Sequence, residues 1–168
     1  YILSSCNNKK IDSEYIVVSI DPQRYFLEQI IKDRYKIETL IPAGANPESY
    51  DPTPSQMALL NNSSLFFGLG YLGIENILLD KITNHNSIII NCSNGIDILG
   101  HNCEGHHHEH NTPNGHDAGD PHYWTSTTNA KIILSNMLSG MIAFDSIHAE
   151  YYQGNYNIAI QRIDSIEN

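Results

Sequence analysis

Six imidazoles crowd one stretch of this chain, at His101, His106, His107, His108, His110 and His116, with Cys103, Glu104, Glu109 and Asp117 among them. Imidazole suits zinc, copper and nickel, and the carboxylates add negative charge, so the chemistry on offer is metal capture. The run is internal and interrupted, unlike a purification tag. Protonation of such imidazoles weakens capture below about pH 6. Read literally, His106-x-x-Glu109-His110 also matches a zinc-peptidase pattern. That pattern works only on a helix, where imidazoles at i and i+4 share a face and the Glu acts as general base. Gly100, Gly105, Pro113 and Gly115 hem the motif in and no apolar face supports a helix there, so no enzyme is expected. A zinc-dependent hydrolase using His106, Glu109 and His110 stays as an alternative that demands an ordered helix over 105–111. A second alternative is a membrane-attached His-rich zinc buffer or adhesin, in which only the stretch itself matters.

Two further segments lie outside that stretch. One runs Ile41-Pro42-Ala43-Gly44-Ala45-Asn46-Pro47-Glu48-Ser49-Tyr50-Asp51-Pro52-Thr53-Pro54, followed after a helix by Leu65-Phe66-Phe67-Gly68-Leu69-Gly70. The other is Asp120-Pro121-His122-Tyr123-Trp124-Thr125-Ser126. Both fall where a strand or loop gives way to a helix, which is where ligand groups gather at the open end of a parallel sheet. Asn46, Tyr50 and Asp51 read as turn and packing residues, and the lone His85 and His148 as surface positions.

The elements that must position these groups are legible from periodicity. Tyr15 to Ile20 is a β-branched strand ending at Asp21-Pro22, where Asp21 is expected to cap a helix and Pro22 suits its first turn. Phe26, Leu27, Ile30 and Ile31 keep helical spacing towards Tyr35, and Ile37 to Ile41 reads as a second strand. Thr53-Pro54-Ser55-Gln56 is a capping box opening a second helix. Ser64 to Gly68, Leu72 to Leu79 and Ile88 to Cys92 read as strand, helix and strand. Strands alternating with helices over short links predict an α/β fold, a four-stranded parallel sheet with helices on both faces. From Asn94 to Asp120 the composition turns to Gly, Asn, His, Asp and Pro, which predicts a long functional or disordered loop. Ser126 then caps a helix carrying Ile133, Leu134, Met137 and Met141. A final long helix from about His148 keeps its phase to the last residue with no stop signal, as expected for the front part of a longer chain.

Composition bounds the partners. A chain of 168 residues has room for one ordinary domain. Its formal charge of −10 excludes a nucleic-acid groove or an anionic membrane surface and favours a cation. Charged residues are only 17% and apolar ones 40%, so the chain can bury a core and is not of the disordered class. The three Cys form no CxxC pair. Cys92, after Ile88-Ile89-Ile90, reads as a small buried residue at a strand end. Leu3-Ser4-Ser5-Cys6 resembles the lipobox of bacterial lipoproteins and leads into a polar tether, which predicts lipidation at Cys6. No apolar run approaches the ~20 residues of a membrane span, so the expected attachment is by lipid.

Taken in order, the lipobox, the Ile41–Pro54 segment, the His-rich insert and Asp120-Pro121-His122-Tyr123-Trp124 resemble the zinc- and manganese-binding solute receptors of bacterial ABC importers, cluster A-I. The resemblance runs from about Tyr15 to the end. It implies two α/β lobes joined by one long helix, with a metal held between them and passed to a membrane permease. On that basis residues 1–14 are a lipobox remnant and tether, 15–145 the N-terminal lobe with its His-rich loop at 100–119, and 146–168 the start of the interlobe helix. The resemblance makes His122 the imidazole ligand of this lobe. At Glu48 the sequence departs from the family's usual His. A carboxylate is an accepted zinc ligand and a better manganese one, so Glu48 is carried over as the second ligand. A His and an acidic ligand from the second lobe would complete the site. The implied ligand is Zn2+, with Mn2+ as the alternative, and the implied place is extracytoplasmic, on the periplasmic or cell-surface side of a bacterial membrane.

Overall fold

In the computed structural model, residues 15–47, 49–83, 87–97 and 122–167 are described. Cys6, Glu48, His85, Cys103, Asp120, Pro121 and the imidazoles of His101, His106, His107, His108, His110 and His116 lie outside them. The first strand, β1 (Tyr15–Val18), leads into helix α1 (Asp21–Ile31), and β2 (Lys36–Thr39) follows. Next come α2 (Pro54–Asn62), β3 (Leu65–Gly68), α3 (Gly73–Leu79) and β4 (Ile88–Asn91). A 3-10 turn at Tyr123–Thr125 opens the last part, with α4 (Thr127–Phe144), a second 3-10 turn at Ser146–His148, and α5 (Ala149–Glu167).

The strands form a four-stranded, wholly parallel sheet in the order β2-β1-β3-β4, as the alternating pattern predicts. Side chains of a strand alternate between the two faces, and the sheet therefore needs two cores. Ile16, Val18, Leu65 and Phe67 pack with Leu27, Ile30, Ile133, Met137 and Tyr152 of α1, α4 and α5. Val17 and Phe66 face the other way, onto Leu60 of α2 and Leu78 of α3. Gly140 sets how closely α4 lies on the sheet. A Cβ there would stand 2.8 Å from both Ile90 Cγ1 and Phe67 Cε1.

Local chemistry explains the helix starts. Thr53 and Gln56 form the expected box: the Thr53 hydroxyl accepts from the Gln56 amide at 3.4 Å, and Gln56 Oε1 accepts from the Thr53 amide at 2.8 Å. For α1 the expected cap is corrected. Asp21 is already helical, and the job passes to the buried Gln23, whose Oε1 accepts from the amides of Ser19 at 3.0 Å and Ile20 at 3.2 Å. This helix also stops short of Tyr35, at Lys32, whose φ of 55° is left-handed and breaks the helical path.

At the far end of α4, Asp145 accepts from Tyr35 Oη at 2.9 Å, Tyr152 Oη at 2.5 Å and His148 Nδ1 at 2.8 Å. His148, expected at the surface, is half-buried in this clasp, with its Nε2 against Arg34. Asn155 Nδ2 donates to the Ile30 carbonyl at 2.8 Å, so α5 lies along α1 as well as α4. No described helix is long and apolar enough to cross a membrane.

Candidate metal centre

The order β2-β1-β3-β4 puts a switch point between β1 and β3, because the chain leaves β1 outward to β2 and returns on its other side to β3. Open parallel sheets bind ligands in the crevice beyond the carboxyl ends of such strands. His122 is anchored at this place. It precedes the 3-10 turn Tyr123–Thr125, and its carbonyl accepts from the Thr125 amide at 3.2 Å and the Thr125 hydroxyl at 2.9 Å. Ser126 then caps α4 by accepting from the Asn129 amide, while Asn129 Nδ2 returns to the Tyr123 carbonyl at 3.0 Å. The imidazole is exposed and packs on Trp124 with ring centroids 5.1 Å apart.

Tyr123 fixes the segment to the sheet. Its side chain is 6% exposed, and its hydroxyl donates a short hydrogen bond to the carbonyl of Leu69, just past β3. Burial pushes the phenol far above its ordinary value of 10.0, with nearby Cys92, Glu75 and Tyr71 acting in the same direction, so it stays a donor. Tyr71 and Trp124 edge against its ring at 6.0 and 5.9 Å.

A cavity of about 240 Å3 lies alongside, lined by Ile20 and Asp21 at the end of β1, Ile41 to Ala45 and Pro47 after β2, and Trp124. Through it the structure brings together the two segments singled out from sequence, since Pro47 immediately precedes Glu48 and Trp124 carries the His122 ring. Glu48 itself lies outside the described residues. Tyr50 and Gln56 hold the end of this loop, Tyr50 Oη donating to Gln56 Oε1 at 2.8 Å while Gln56 Nε2 donates to the Leu40 carbonyl at 2.7 Å. Among the described residues, no three His, Cys, Asp or Glu side chains gather as a metal cage. The arrangement offers one imidazole on a rigid turn beside a loop that bears a carboxylate. It suits one half of a coordination shell, with no described nucleophile and base in contact there.

Residues 16–168 match the family described as ZnuA, zinc-uptake complex component A, periplasmic. The chain belongs to that family. ZnuA-family proteins are uptake components and not enzymes, which removes the hydrolase reading of His106, Glu109 and His110. The high-affinity zinc uptake system protein ZnuA of Bacillus subtilis (strain 168) is 26% identical over 181 residues, covering 99% of this chain and 56% of its own. The manganese ABC transporter substrate-binding lipoprotein PsaA of Streptococcus anginosus is 24% identical over 153 residues, covering 83% of this chain and 45% of its own. A crystal structure of a ZnuA superposes with a TM-score of 0.76 at 28% identity, over 92% of this chain and 56% of that one. The chain thus spans about half the length of the curated relatives it matches.

Sequence reasoning misses the polar groups under the site. Glu75 on α3 is only 2% exposed, although its place in Gly73-Ile74-Glu75-Asn76 reads as an ordinary helical carboxylate. Its Oε1 accepts from the Leu69 amide and its Oε2 from the Gly70 amide, both at 2.6 Å, and Ser19 Oγ donates a short hydrogen bond to Oε1. Burial pushes this carboxyl above its ordinary value of 4.5, against the pull of those three hydrogen bonds. Cys92 is fully buried as expected, and burial pushes its thiol far above 9.0, which leaves it a packing residue.

Proposed function

We propose that this chain forms one lobe of an extracytoplasmic receptor that captures a divalent transition metal, zinc first and manganese second, and delivers it to the permease of an ABC importer. His122 is the imidazole ligand and Glu48 the carboxylate ligand from this lobe, and α5 is the start of the helix leading to the second lobe. The observation that carries the reading is the anchored His122 turn at the β1/β3 switch point, beside the loop that bears Glu48. The names of relatives include both a zinc and a manganese receptor. The His-rich stretch favours zinc, while Glu48 tempers that preference.

The imidazoles of His101, His106, His107, His108, His110 and His116 serve as an accessory metal collector, and Cys6 takes the lipid anchor. Isothermal titration of the full-length protein tests the receptor. One zinc site tighter than micromolar is expected, lost in His122→Ala and weakened in Glu48→Ala. Absence of such a site, or indifference to both substitutions, would overturn the reading. Deleting residues 101–116 should leave the tight site and remove only weak ones, whereas a zinc buffer or adhesin would lose all affinity.

A further inference from the structure

Glu75 is a carboxylate only 2% exposed, and its hydrogen bonds go to the crevice edge. One oxygen meets the Ser19 hydroxyl at the end of β1 and the Leu69 amide after β3; the other meets the Gly70 amide. Leu69 therefore faces two ways, its amide to Glu75 and its carbonyl to the Tyr123 hydroxyl. Gly70 fixes the third side. Its φ is +90°, and a Cβ there would fall 2.1 Å from Asn91 Oδ1, so the loop is wedged against the end of β4. Glu75, Leu69, Tyr123 and His122 form one continuous chain from the buried face of α3 to the exposed imidazole.

We infer that Glu75 is a positioning residue for the metal-binding segment: by clamping the Leu69–Gly70 amides to Ser19, it fixes the carbonyl on which Tyr123 hangs and so the place from which His122 reaches the metal. This rests on the receptor reading above. A carboxylate suits the task because its two oxygens accept together from the buried Ser19 hydroxyl and Leu69 amide, which water cannot reach, and from the Gly70 amide at the rim. Groups hydrogen-bonded to metal ligands commonly change metal affinity by about 10- to 100-fold when removed, and Glu75, acting through Leu69 and Tyr123, is expected at the low end of that range.

The test uses the full-length protein and three variants, Glu75→Gln, Tyr123→Phe and their combination. Gln at 75 turns one acceptor into a donor facing an amide, and Phe at 123 removes only the hydroxyl. Zinc affinity, read by competition with a chromophoric chelator, is expected to fall about 10-fold in each single variant and no further in the double. The visible spectrum of bound Co2+ should shift in each, because ligand angle changes. In the metal-free protein the backbone amide resonances of residues 122–125 should move in Glu75→Gln. A lower melting temperature with unchanged affinity and unchanged Co2+ spectrum, or strictly additive losses in the double variant, would overturn the proposal. If Glu75→Gln does not fold, Tyr123→Phe and Ser19→Ala carry the same comparison. Failure of the receptor reading would look different: wild type would bind no zinc and His122→Ala would be silent, while the amide shifts would still decide whether Glu75 positions the segment.

Discussion

Two carboxylates sit at opposite edges of the sheet, each accepting from three donors, and the sheet treats them differently. Glu75, at the carboxyl edge, is sealed in, and its partners are two backbone amides and one hydroxyl. Asp145, beside Tyr35 at the amino edge, keeps some water contact, and its partners are side chains on three segments. Burial wins at Glu75 and raises its carboxyl. At Asp145 burial also pushes upward, but hydrogen bonds from Tyr152, His148 and Tyr35 outweigh it and hold the carboxyl below 3.8. The same number of donors thus yields opposite shifts, because the desolvation cost depends on how completely water is excluded. The carboxyl edge holds fixed the backbone from which the His122 turn hangs. The amino edge ties α5 and the Tyr35 segment to the elbow after α4.

Removing each carboxylate should separate the two edges. Glu75→Ala leaves the buried Leu69 amide and Ser19 hydroxyl without this acceptor and is expected to cost about 3 kcal/mol in urea denaturation, along with the metal affinity. Between the edges runs α4, pressed on the sheet at Gly140. Gly140→Ala is expected to cost about 2 kcal/mol by overpacking against Phe67 and Ile90, and to disturb both edges. Asp145→Asn should cost about 1 kcal/mol and leave zinc affinity untouched, which would break the comparison if affinity fell instead. The smallest change is the control. Gly154 on α5 meets nothing within 4 Å, so Gly154→Ala should stabilise by about 0.5 kcal/mol.

Acid sharpens the contrast, since the two shifts have opposite signs. Asp145 is depressed, so its contribution is present above pH 3.8 and disappears as pH falls through its lower folded value. The gap between wild type and Asp145→Asn should therefore close in strong acid. Glu75 is raised, so its titration favours the fold below pH 4.5 and that advantage is lost as pH rises through the higher folded value. Relative to Glu75→Gln, wild type should lose stability on going from pH 4 towards neutrality. Urea midpoints measured across this range check both signs; parallel curves for the two pairs would refute the difference.

The layered fold was legible because periodicity reports which side of an element meets the core. Ile16 and Val18 against Val17, or Leu65 and Phe67 against Phe66, are all apolar because both faces of a parallel sheet are covered. The Thr53 box could be read because its partners are three residues apart. Asp21 is a strong capping type, but the helix start is fixed by Gln23 folding back into the interior, which residue type alone does not report.

By itself the sequence determined the order of strands and helices, the Asp-Pro-His segment, the His-rich stretch and the family resemblance, since these depend on residue type and on neighbours a few positions away. Only the tertiary structure decided which carboxylate is buried and what His122 hangs from. Ser19, the Leu69–Glu75 stretch and Tyr123 are far apart along the chain, and their meeting depends on β1 lying between β2 and β3. Burial and convergence are properties of that crossing, and local pattern carries no record of it.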